Sequence, residues 1–427
     1  MIQLLHCADL HLDSPFLGVS HFSPDMAILL RKSIFHAFTK LVDLAIANKV
    51  DLLTVGGDVY DSADHGLHSL LLFTDQLKRL SAAGIHCCIV TGNHDPLYKR
   101  RKGGKLPEGC YLFGAEESVF HFTGRDGTDF HIYGISHGKE REAGNLAKKI
   151  IRIYENLPGI SLALLHCNVG GAAKYENYAP CTVEELKNAP FDAWLLGHVH
   201  EKRIVSATDP LILYPGNIQG RHIGESGKRG GYLVALYGDT APEIKFLPVS
   251  PILWYRGETR IDGLDSLNAL MERLDEDFEK LVQSDENIEA WIVHWSVMGQ
   301  GEVEKELNLH GTGELFEEIQ ARWLEKAPAV YIEKLINRCR PSLDMEEISK
   351  QNNFLSMLVE IGDMLLAEEP ISSNVRGAIL AELEKPALKK WLPELQEKVL
   401  QEPDFLRELI KKGTVHALNA MMEEKRQ

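Results

Sequence analysis

Short apolar runs alternate with helical patterns between residues 1 and 250, and this alternation restricts the fold more than any other feature of the sequence. Apolar residues spaced by three or four predict helices over 24–47 and 67–82. Strands that alternate with helices build α/β layers, whose functional residues lie in the loops at the strand ends. The predicted strands cover 2–7, 51–55, 85–91, 130–135, 161–166, 193–196, 211–214, 232–237 and 244–249.

The pattern changes after Pro251, and a chain of 427 residues is long enough for two or three domains. Strand and helix patterns between 251 and 340 predict a small α+β domain. Pro341 then begins a region with apolar stripes at helical spacing. The predicted domains are therefore 1–250, 251–340 and a helical C-terminal region over 341–427.

Polar side chains that can bind metal ions follow five of the predicted strands. A doubly wound sheet would bring these strand ends to one edge. One Asp-x-His pair carries little information, but five such groups at strand ends have no structural reason to coincide. In chain order the groups are Asp9 and His11, Asp58 and Asp61, Asn93 and His94, His166, and His198 with His200.

Seven of these side chains form a ligand set of nitrogen and oxygen atoms without a thiolate. Such a set suits Mn²⁺, Fe²⁺ or Zn²⁺. Seven ligands are too many for one ion but fit two ions that share a carboxylate, as in enzymes that displace phosphoryl groups. The alternative is a scattered set of surface histidines and helix caps. The seven are Asp9, His11, Asp58, Asn93, His166, His198 and His200.

The order of these groups resembles the calcineurin-like metallophosphoesterases. The family's blocks D-x-H, G-D-x-x-D, G-N-H-[DE], a single His and G-H-x-H are all present across residues 9–200. The resemblance implies a layered β-sandwich flanked by helices. It also implies one metal ion on Asp9, His11, Asp58 and His200, and a second on Asp58, Asn93, His166 and His198.

The same resemblance implies the catalytic roles. Asp58 would bridge the two ions. His94 would face the scissile phosphate and stabilise it or protonate the leaving oxygen, and Asp61 would orient His94. Archaeal and eukaryotic relatives often carry His where Asp61 stands, so their use of two histidines does not transfer to this chain.

The whole chain is similar to the SbcD-type DNA repair exonucleases, and most of all to their YhaO-like bacterial branch. Residues 214–225, with Tyr-Pro-Gly-Asn, Gln-Gly-Arg-His and Gly-Glu, carry this similarity. It implies a metallophosphoesterase (nuclease) domain over 1–250, a cap domain over 251–340 and DNA as a partner. It also implies that the helices of 341–427 bind a coiled-coil SMC-like or related ATPase. A homodimer is a further expectation.

Basic residues follow the His94 loop and predict contacts with the DNA backbone. The alternative is a solvated loop. The net charge of −16 does not exclude DNA, because residues 1–250 carry 25 Lys and Arg against 27 Asp and Glu, and the remaining residues carry 21 against 35. The candidates are Lys99, Arg100, Arg101, Lys102 and Lys105, with Arg221 and His222 as a second group.

The predicted function is a dinuclear, Mn²⁺-dependent phosphodiesterase, with Fe²⁺ or Zn²⁺ as alternative ions. It would act as a DNA exonuclease or endonuclease in repair, a metal-bound hydroxide attacking a backbone phosphate. Two alternatives stay open: an enzyme for a small nucleotide-type phosphodiester, and a mainly structural subunit of an ATPase assembly. The sequence has no signal-peptide pattern, no long apolar segment and no C-x-x-C, so we expect a cytoplasmic protein without a membrane partner.

Overall fold

The computed structural model describes residues 1–14, 24–61, 66–99, 105–171, 176–238, 240–310, 313–340, 348–350, 353–367, 371–385, 395, 399 and 402–424. Within these ranges no helix is both long enough and apolar enough to cross a bilayer. The chain divides into two compact units. The first comprises 1–257, 278–295 and 320–334, and the second comprises 258–277, 296–319 and 335–427.

Six strands form the first sheet of the first unit. They are β1 (Ile2–Cys7), β2 (Leu52–Gly56), β3 (His86–Val90), β4 (Cys110–Leu112), β11 (Gly230–Leu236) and β12 (Glu243–Pro248). Their order across the sheet is β12-β11-β1-β2-β3-β4. Strands β1 to β4 run parallel, whereas β11 is antiparallel to both of its neighbours.

A second sheet of six strands belongs to the same unit. It contains β5 (Ser118–Thr123), β6 (Asp129–Ile135), β7 (Ile160–His166), β8 (Ala193–Gly197), β9 (Arg203–Ser206) and β10 (Leu211–Tyr214). Their order is β5-β6-β7-β8-β10-β9. The four inner strands are parallel, and each edge strand is antiparallel to its neighbour.

Successive side chains of each strand point to opposite faces of its sheet. One face packs in the core between the two sheets, and the other packs in an outer core against the helices. Leu4 and Leu164 belong to the core between the sheets, whereas the next residues, Leu5 and Leu165, belong to the outer cores. The outer core of the first sheet includes apolar residues of α1 (Pro24–Ala47) and α2 (Leu67–Ala82). That of the second includes residues of α3 (Leu146–Arg152) and α4 (Val183–Lys187). The predicted layered α/β sandwich is therefore confirmed.

The strand ends that carry the predicted ligands come from both sheets. The prediction that one doubly wound sheet carries all five ends was wrong, because β1, β2 and β3 belong to the first sheet and β7 and β8 to the second. The two sheets are joined near these ends by His6, whose Nε2 lies 3.0 Å from the carbonyl oxygen of Leu196. The packing of two parallel-rich sheets, each presenting the carboxyl ends of its strands, builds the common edge.

A third sheet follows in the order β13-β14-β15. Its strands are β13 (Ile252–Arg260), β14 (Ala290–Gln300) and β15 (Ala329–Arg340), and the helices between them are α5 (Leu267–Gln283), α6 (Glu302–His310) and α7 (Gly313–Leu324). In the first unit, the ring of Phe278 packs against Trp295 and Trp323 at centroid distances of 4.5 and 5.3 Å. These elements match the α+β pattern predicted for 251–340.

In the C-terminal part of the second unit, the described residues are mainly helical, as predicted. Its helices are α8 (Phe354–Ala367), α9 (Ser373–Leu383) and α10 (Pro403–Glu424). Two small apolar clusters lie among them, one around Val359 and Leu418 and one around Leu406 and Ile410. The domain bounds at residues 250 and 340 stay predictions.

Candidate metal centre

The loops after β1 and β2 are joined by their backbones. The Asp9 amide donates a hydrogen bond to the Gly57 carbonyl, and the His11 amide donates one to the Asp58 carbonyl. Both N···O distances are 3.0 Å. Because these bonds continue the pairing of β1 with β2, they fix where the first ligand pair lies relative to the second.

Four of the predicted ligands have left-handed backbone conformations. The φ angles are 51° for Asp9, 46° for His11, 49° for Asp58 and 97° for His198. Residues with side chains seldom adopt such angles, and the cost is on the order of 1–3 kcal/mol each. Such strain is typical of functional sites, where a required side-chain orientation outweighs the energetic cost of an unfavourable backbone conformation.

The seven predicted ligands come together at the strand ends. Asp9, His11 and His200 form one group and Asp9, Asp58 and His166 another, with ligand atoms within 4.8 Å of one another in each. The Oδ1 atom of Asn93 lies 3.1 Å from His166 Nε2 and 3.2 Å from His198 Nδ1.

Asp58 belongs to the second group and also approaches His11 of the first. Its Oδ2 atom is 4.0 Å from His11 Nε2 and 3.4 Å from His166 Nε2. A carboxylate in this position can contact an ion on either side, as a bridging ligand must. The His11 and His200 Nε2 atoms approach each other at 3.3 Å, which is a reasonable separation for two nitrogens that share one ion.

Each ligand histidine has its other ring nitrogen next to an oxygen atom. Such partners fix the tautomer and the ring plane, and they are the usual outer neighbours of metal-binding histidines. The nitrogens that face the cluster are thereby left as lone-pair donors. The outer pairs are His11 Nδ1 with Asp61 Oδ1 at 2.9 Å, His166 Nδ1 with Gly56 O at 2.8 Å, His198 Nε2 with Glu176 O at 2.8 Å, and His200 Nδ1 with Glu225 Oε1 at 2.7 Å.

The cluster is buried and contains two carboxylates that need positive charge. Asp9 and Asp58 are each about 1% exposed. Burial raises the pKa of Asp9, and burial lowers the pKa of His11 to about 3 and that of His198 to about 4, which keeps both imidazoles neutral. Burial opposes protonation of His166, but the charges of Asp58 and Asp9 outweigh it and raise its pKa to about 9, so that a divalent cation bound here would displace this proton. Imidazoles, buried carboxylates and an amide oxygen fit divalent cations, whose charge would compensate the carboxylates.

Glycine is required beside the cluster. Gly57 has φ of 99°, and a Cβ atom at this position would come within 2.8 Å of His166 Cγ. A larger residue would therefore displace the His166 ring as well as strain the backbone.

His94 and Asp61 lie at the solvent side of the cluster. The Nδ1 atom of His94 is 3.1 Å from Asp61 Oδ1, and its side chain is 41% exposed, so that a substrate can reach it. The hydrogen bond to Asp61 raises the pKa of His94 to about 9. Burial opposes ionisation of Asp61, but hydrogen bonds to His11 and His94 outweigh it and hold its pKa well below the ordinary value.

Two acidic residues without a predicted role lie next to the predicted ligands. Asp95 accepts hydrogen bonds from the Gly92 and Val59 amides, and so ties the loops after β2 and β3 together. Glu225 accepts from His200. Asp95 ends the G-N-H-[DE] block, which was a usable signal, but nothing local in the sequence connects Glu225 with a histidine 25 residues earlier.

The predicted DNA contacts have different surroundings. Lys99 ends a 3₁₀ turn over Leu97–Lys99, Lys105 is exposed, and Arg100, Arg101 and Lys102 lie outside the described residues. His222 has a 61% exposed side chain. The side chain of Arg221 is only 17% exposed and lies among Asp61, His200 and Glu225.

The fold and the site together define a metal-dependent phosphoesterase. Two facing sheets bring the D-x-H, G-D-x-x-D, G-N-H-D and G-H-x-H blocks to one edge, and residues 2–202 match the calcineurin-like phosphoesterase family. The chain belongs to this family, whose members bind two metal ions, as the sequence motifs predicted.

Among individual proteins, the chain is similar to one described as uncharacterized metallophosphoesterase YhaO of Bacillus subtilis. The two are 32% identical over 284 residues, which cover 66% of this chain and 68% of that protein. The DNA double-strand break repair protein Mre11 of Sulfurisphaera tokodaii is 26% identical over 294 residues, covering 65% and 71% of the two chains. Mre11 of Sulfolobus acidocaldarius is 23% identical over 320 residues, covering 72% and 77%.

Proposed function

We propose that this protein is a dinuclear, Mn²⁺-dependent phosphodiesterase that cleaves DNA. The observation that carries the proposal is the position of His94, an exposed imidazole with a raised pKa, beside a buried cluster of Asp, His and Asn ligands. The cluster is suited to bind cations, and the imidazole is suited to donate a proton to a leaving group next to them.

The ligands divide into two sets in the proposal. Two divalent ions, when bound, supply Lewis acidity toward a phosphate and make hydroxide available near neutral pH. Mn²⁺ suits the mixture of carboxylate, imidazole and amide oxygen, with Fe²⁺ and Zn²⁺ as alternatives. One ion would be held by Asp9, His11, Asp58 and His200, and the other by Asp58, Asn93, His166 and His198.

His94 is the proposed proton donor. Because Asp61 engages its Nδ1 atom, Nε2 is the nitrogen available to the phosphate. With a pKa of about 9 this nitrogen is protonated at neutral pH, and it can stabilise the phosphate or protonate the leaving oxygen. Asp61 keeps the imidazole in that orientation and favours its charged form.

DNA is the proposed substrate because two of the relatives are described as DNA double-strand break repair proteins. The exposed Lys105 and the other predicted cations of residues 99–105 would contact the DNA backbone. A small nucleotide-type phosphodiester is the second candidate, since the centre itself could act on any accessible diester.

One experiment separates these candidates. The full chain is stripped with EDTA, reloaded with Mn²⁺, Mg²⁺, Fe²⁺ or Zn²⁺, and incubated with end-labelled single-stranded DNA, double-stranded DNA or bis-p-nitrophenyl phosphate. Cleavage of DNA that requires Mn²⁺ and disappears in Asp58→Asn supports the proposal. Hydrolysis of the small diester alone favours a small substrate, and DNA binding without any hydrolysis favours a structural role.

We also propose that the C-terminal helices bind the coiled coil of an SMC-like ATPase. Helix α8 supports this, because Phe354, Met357, Ile361 and Met364 recur at helical spacing and are 47–65% exposed. Such a face suits a partner helix. Pull-down from a lysate of the source organism should recover an ATPase with the wild type and not with a Met357→Glu, Met364→Glu variant. Equal recovery would place the interface elsewhere.

A further inference from the structure

We propose that Glu225 and Arg221 are positioning residues of the metal centre. The guanidinium of Arg221 holds two carboxylates in place, that of Glu225 beside His200 and that of Asp61 beside His11. This inference rests on the proposed ligand roles of His11 and His200. It gives Arg221 a role different from the DNA contact that the sequence suggested.

Glu225 is bound on both of its carboxylate oxygens. Oε1 lies 2.7 Å from His200 Nδ1, while Oε2 accepts hydrogen bonds from the Arg221 amide at 2.8 Å and the Asn217 side chain at 2.7 Å. With Nδ1 of His200 donating to Glu225, the proton is kept off Nε2, which is the nitrogen that faces His11. The carboxylate thus selects the tautomer that can bind a metal ion.

Arg221 lies between the carboxylate of Glu225 and that of Asp61, which is on the other side of the centre. Its Nη2 atom lies 3.1 Å from His200 Nδ1 and 3.4 Å from Glu225 Oε1, and its Nη1 atom lies 3.4 Å from Asp61 Oδ1. Asp61 in turn lies 2.9 Å from His11 Nδ1. A planar guanidinium with two separate nitrogens can hold two carboxylates at a set distance, which an ammonium group cannot do.

The chain segment that carries these residues is itself fixed. The buried guanidinium of Arg229 donates to the carbonyl oxygens of His200, Glu225 and Ser226 and to Asn217 Oδ1. The backbone of the loop after β8 and the segment over 217–229 are therefore held together independently of the contact between Glu225 and His200. A change at Glu225 should alter the orientation of the His200 ring before it disrupts the fold.

The charges agree with a positioning role. Burial opposes ionisation of Glu225, which is 5% exposed, but hydrogen bonding to His200 and the charge of Arg221 outweigh burial and keep its pKa below the ordinary value. Because the guanidinium is occupied by two carboxylates, little of its charge remains for a DNA phosphate. Its main effect is therefore on the metal centre and not on the affinity for DNA.

The test measures Mn²⁺ binding to the EDTA-stripped full chain by calorimetry and by electron paramagnetic resonance. Glu225→Gln and Arg221→Gln should each weaken Mn²⁺ binding by about 10- to 100-fold, the usual cost of losing an outer partner of a ligand. The metal-free variants should still fold, although at a lower melting temperature because a buried charged group loses its partner. Hydrolysis of bis-p-nitrophenyl phosphate should recover when Mn²⁺ is raised by the same factor. A defect of the fold would not be rescued by metal.

The matched control is Glu201→Gln, which makes the same change at an exposed carboxylate directly after His200. It should leave Mn²⁺ affinity within twofold of the wild type. Wild-type affinity in Glu225→Gln would overturn the inference, and if that variant does not fold, wild-type affinity in Arg221→Gln would overturn it. If the wild-type chain itself binds no Mn²⁺, the proposed metal centre is refuted and this inference with it, a result that the variants alone cannot produce.

Discussion

Replacement of Gly92 by alanine tests whether the cluster works as a metal centre, because the added methyl group would point into it. A Cβ atom built on Gly92 lies 2.7 Å from both Cε1 and Nε2 of His166, and closer still to Asp58 Oδ1. Real Cβ atoms essentially never come within 3.0 Å of such neighbours. The two side chains must therefore retreat by about 1 Å to reach ordinary contact.

Neither side chain can retreat freely. His166 Nδ1 is held by the Gly56 carbonyl at 2.8 Å, and Asp58 Oδ1 accepts from the His94 amide at 3.0 Å. A displacement of about 1 Å at a catalytic group can reduce the rate about 100-fold. Overpacking of this kind also costs typically 1–3 kcal/mol of stability, which a folded domain usually tolerates.

We therefore expect Gly92→Ala to fold, to bind Mn²⁺ at least about 10-fold more weakly and to hydrolyse bis-p-nitrophenyl phosphate about 100-fold more slowly. Metal content, circular dichroism and steady-state kinetics measure the three properties. Gly114→Ala is the control, because the atoms nearest to its Cβ are backbone atoms of Glu116 at ordinary distances of 3.8 and 3.9 Å. A Gly92→Ala protein with wild-type metal content and turnover would refute the assignment of Asp58 and His166 to the centre.

Four further predictions concern single features of the chain. Asp58→Asn should abolish hydrolysis and lower the metal content per chain, and full values of both would contradict its bridging role. His94→Gln should retain both ions and DNA binding but lose about 10²- to 10⁴-fold in rate, so that loss of an ion would contradict its role at the phosphate. Neutralising the five cations of residues 99–105 should reduce the slope of log affinity for DNA against log salt by about 0.7–0.9 per lost contact, with little change in hydrolysis of a small diester. Burial lowers the pKa of His6 from 6.5 to about 4. Between these pH values His6 is protonated in the unfolded chain and neutral in the folded chain, so the free energy of unfolding falls as pH decreases from about 6.5 to 4. In urea unfolding of the metal-free protein, the wild type should lose about 2–3 kcal/mol more than His6→Gln between pH 7.5 and pH 4.5.

The local pattern of the sequence was sufficient for most of the elements that build the site. Strands β1 and β10 and helices α1 and α2 have the bounds that periodicity predicted, because apolar runs and helical spacing are properties of neighbouring residues. The short strands β4, β5 and β9 were not predicted. Their residues are partly exposed, and their strand conformation depends on pairing with a partner strand.

The sequence by itself also determined that Asp, Asn and His side chains suited to metal binding lie at the strand ends, since each motif lies within a few residues. It did not determine that the ends come from two sheets, because pairing between strands is a contact over long sequence distances. Nor did it determine the surroundings of Arg221, which lies 160 residues from Asp61 in the chain and 3.4 Å from it in the fold. An exposed arginine and an arginine held by two carboxylates look the same in a sequence. Only the tertiary structure decides which charged side chains are in contact, because these contacts join residues that are far apart in the chain.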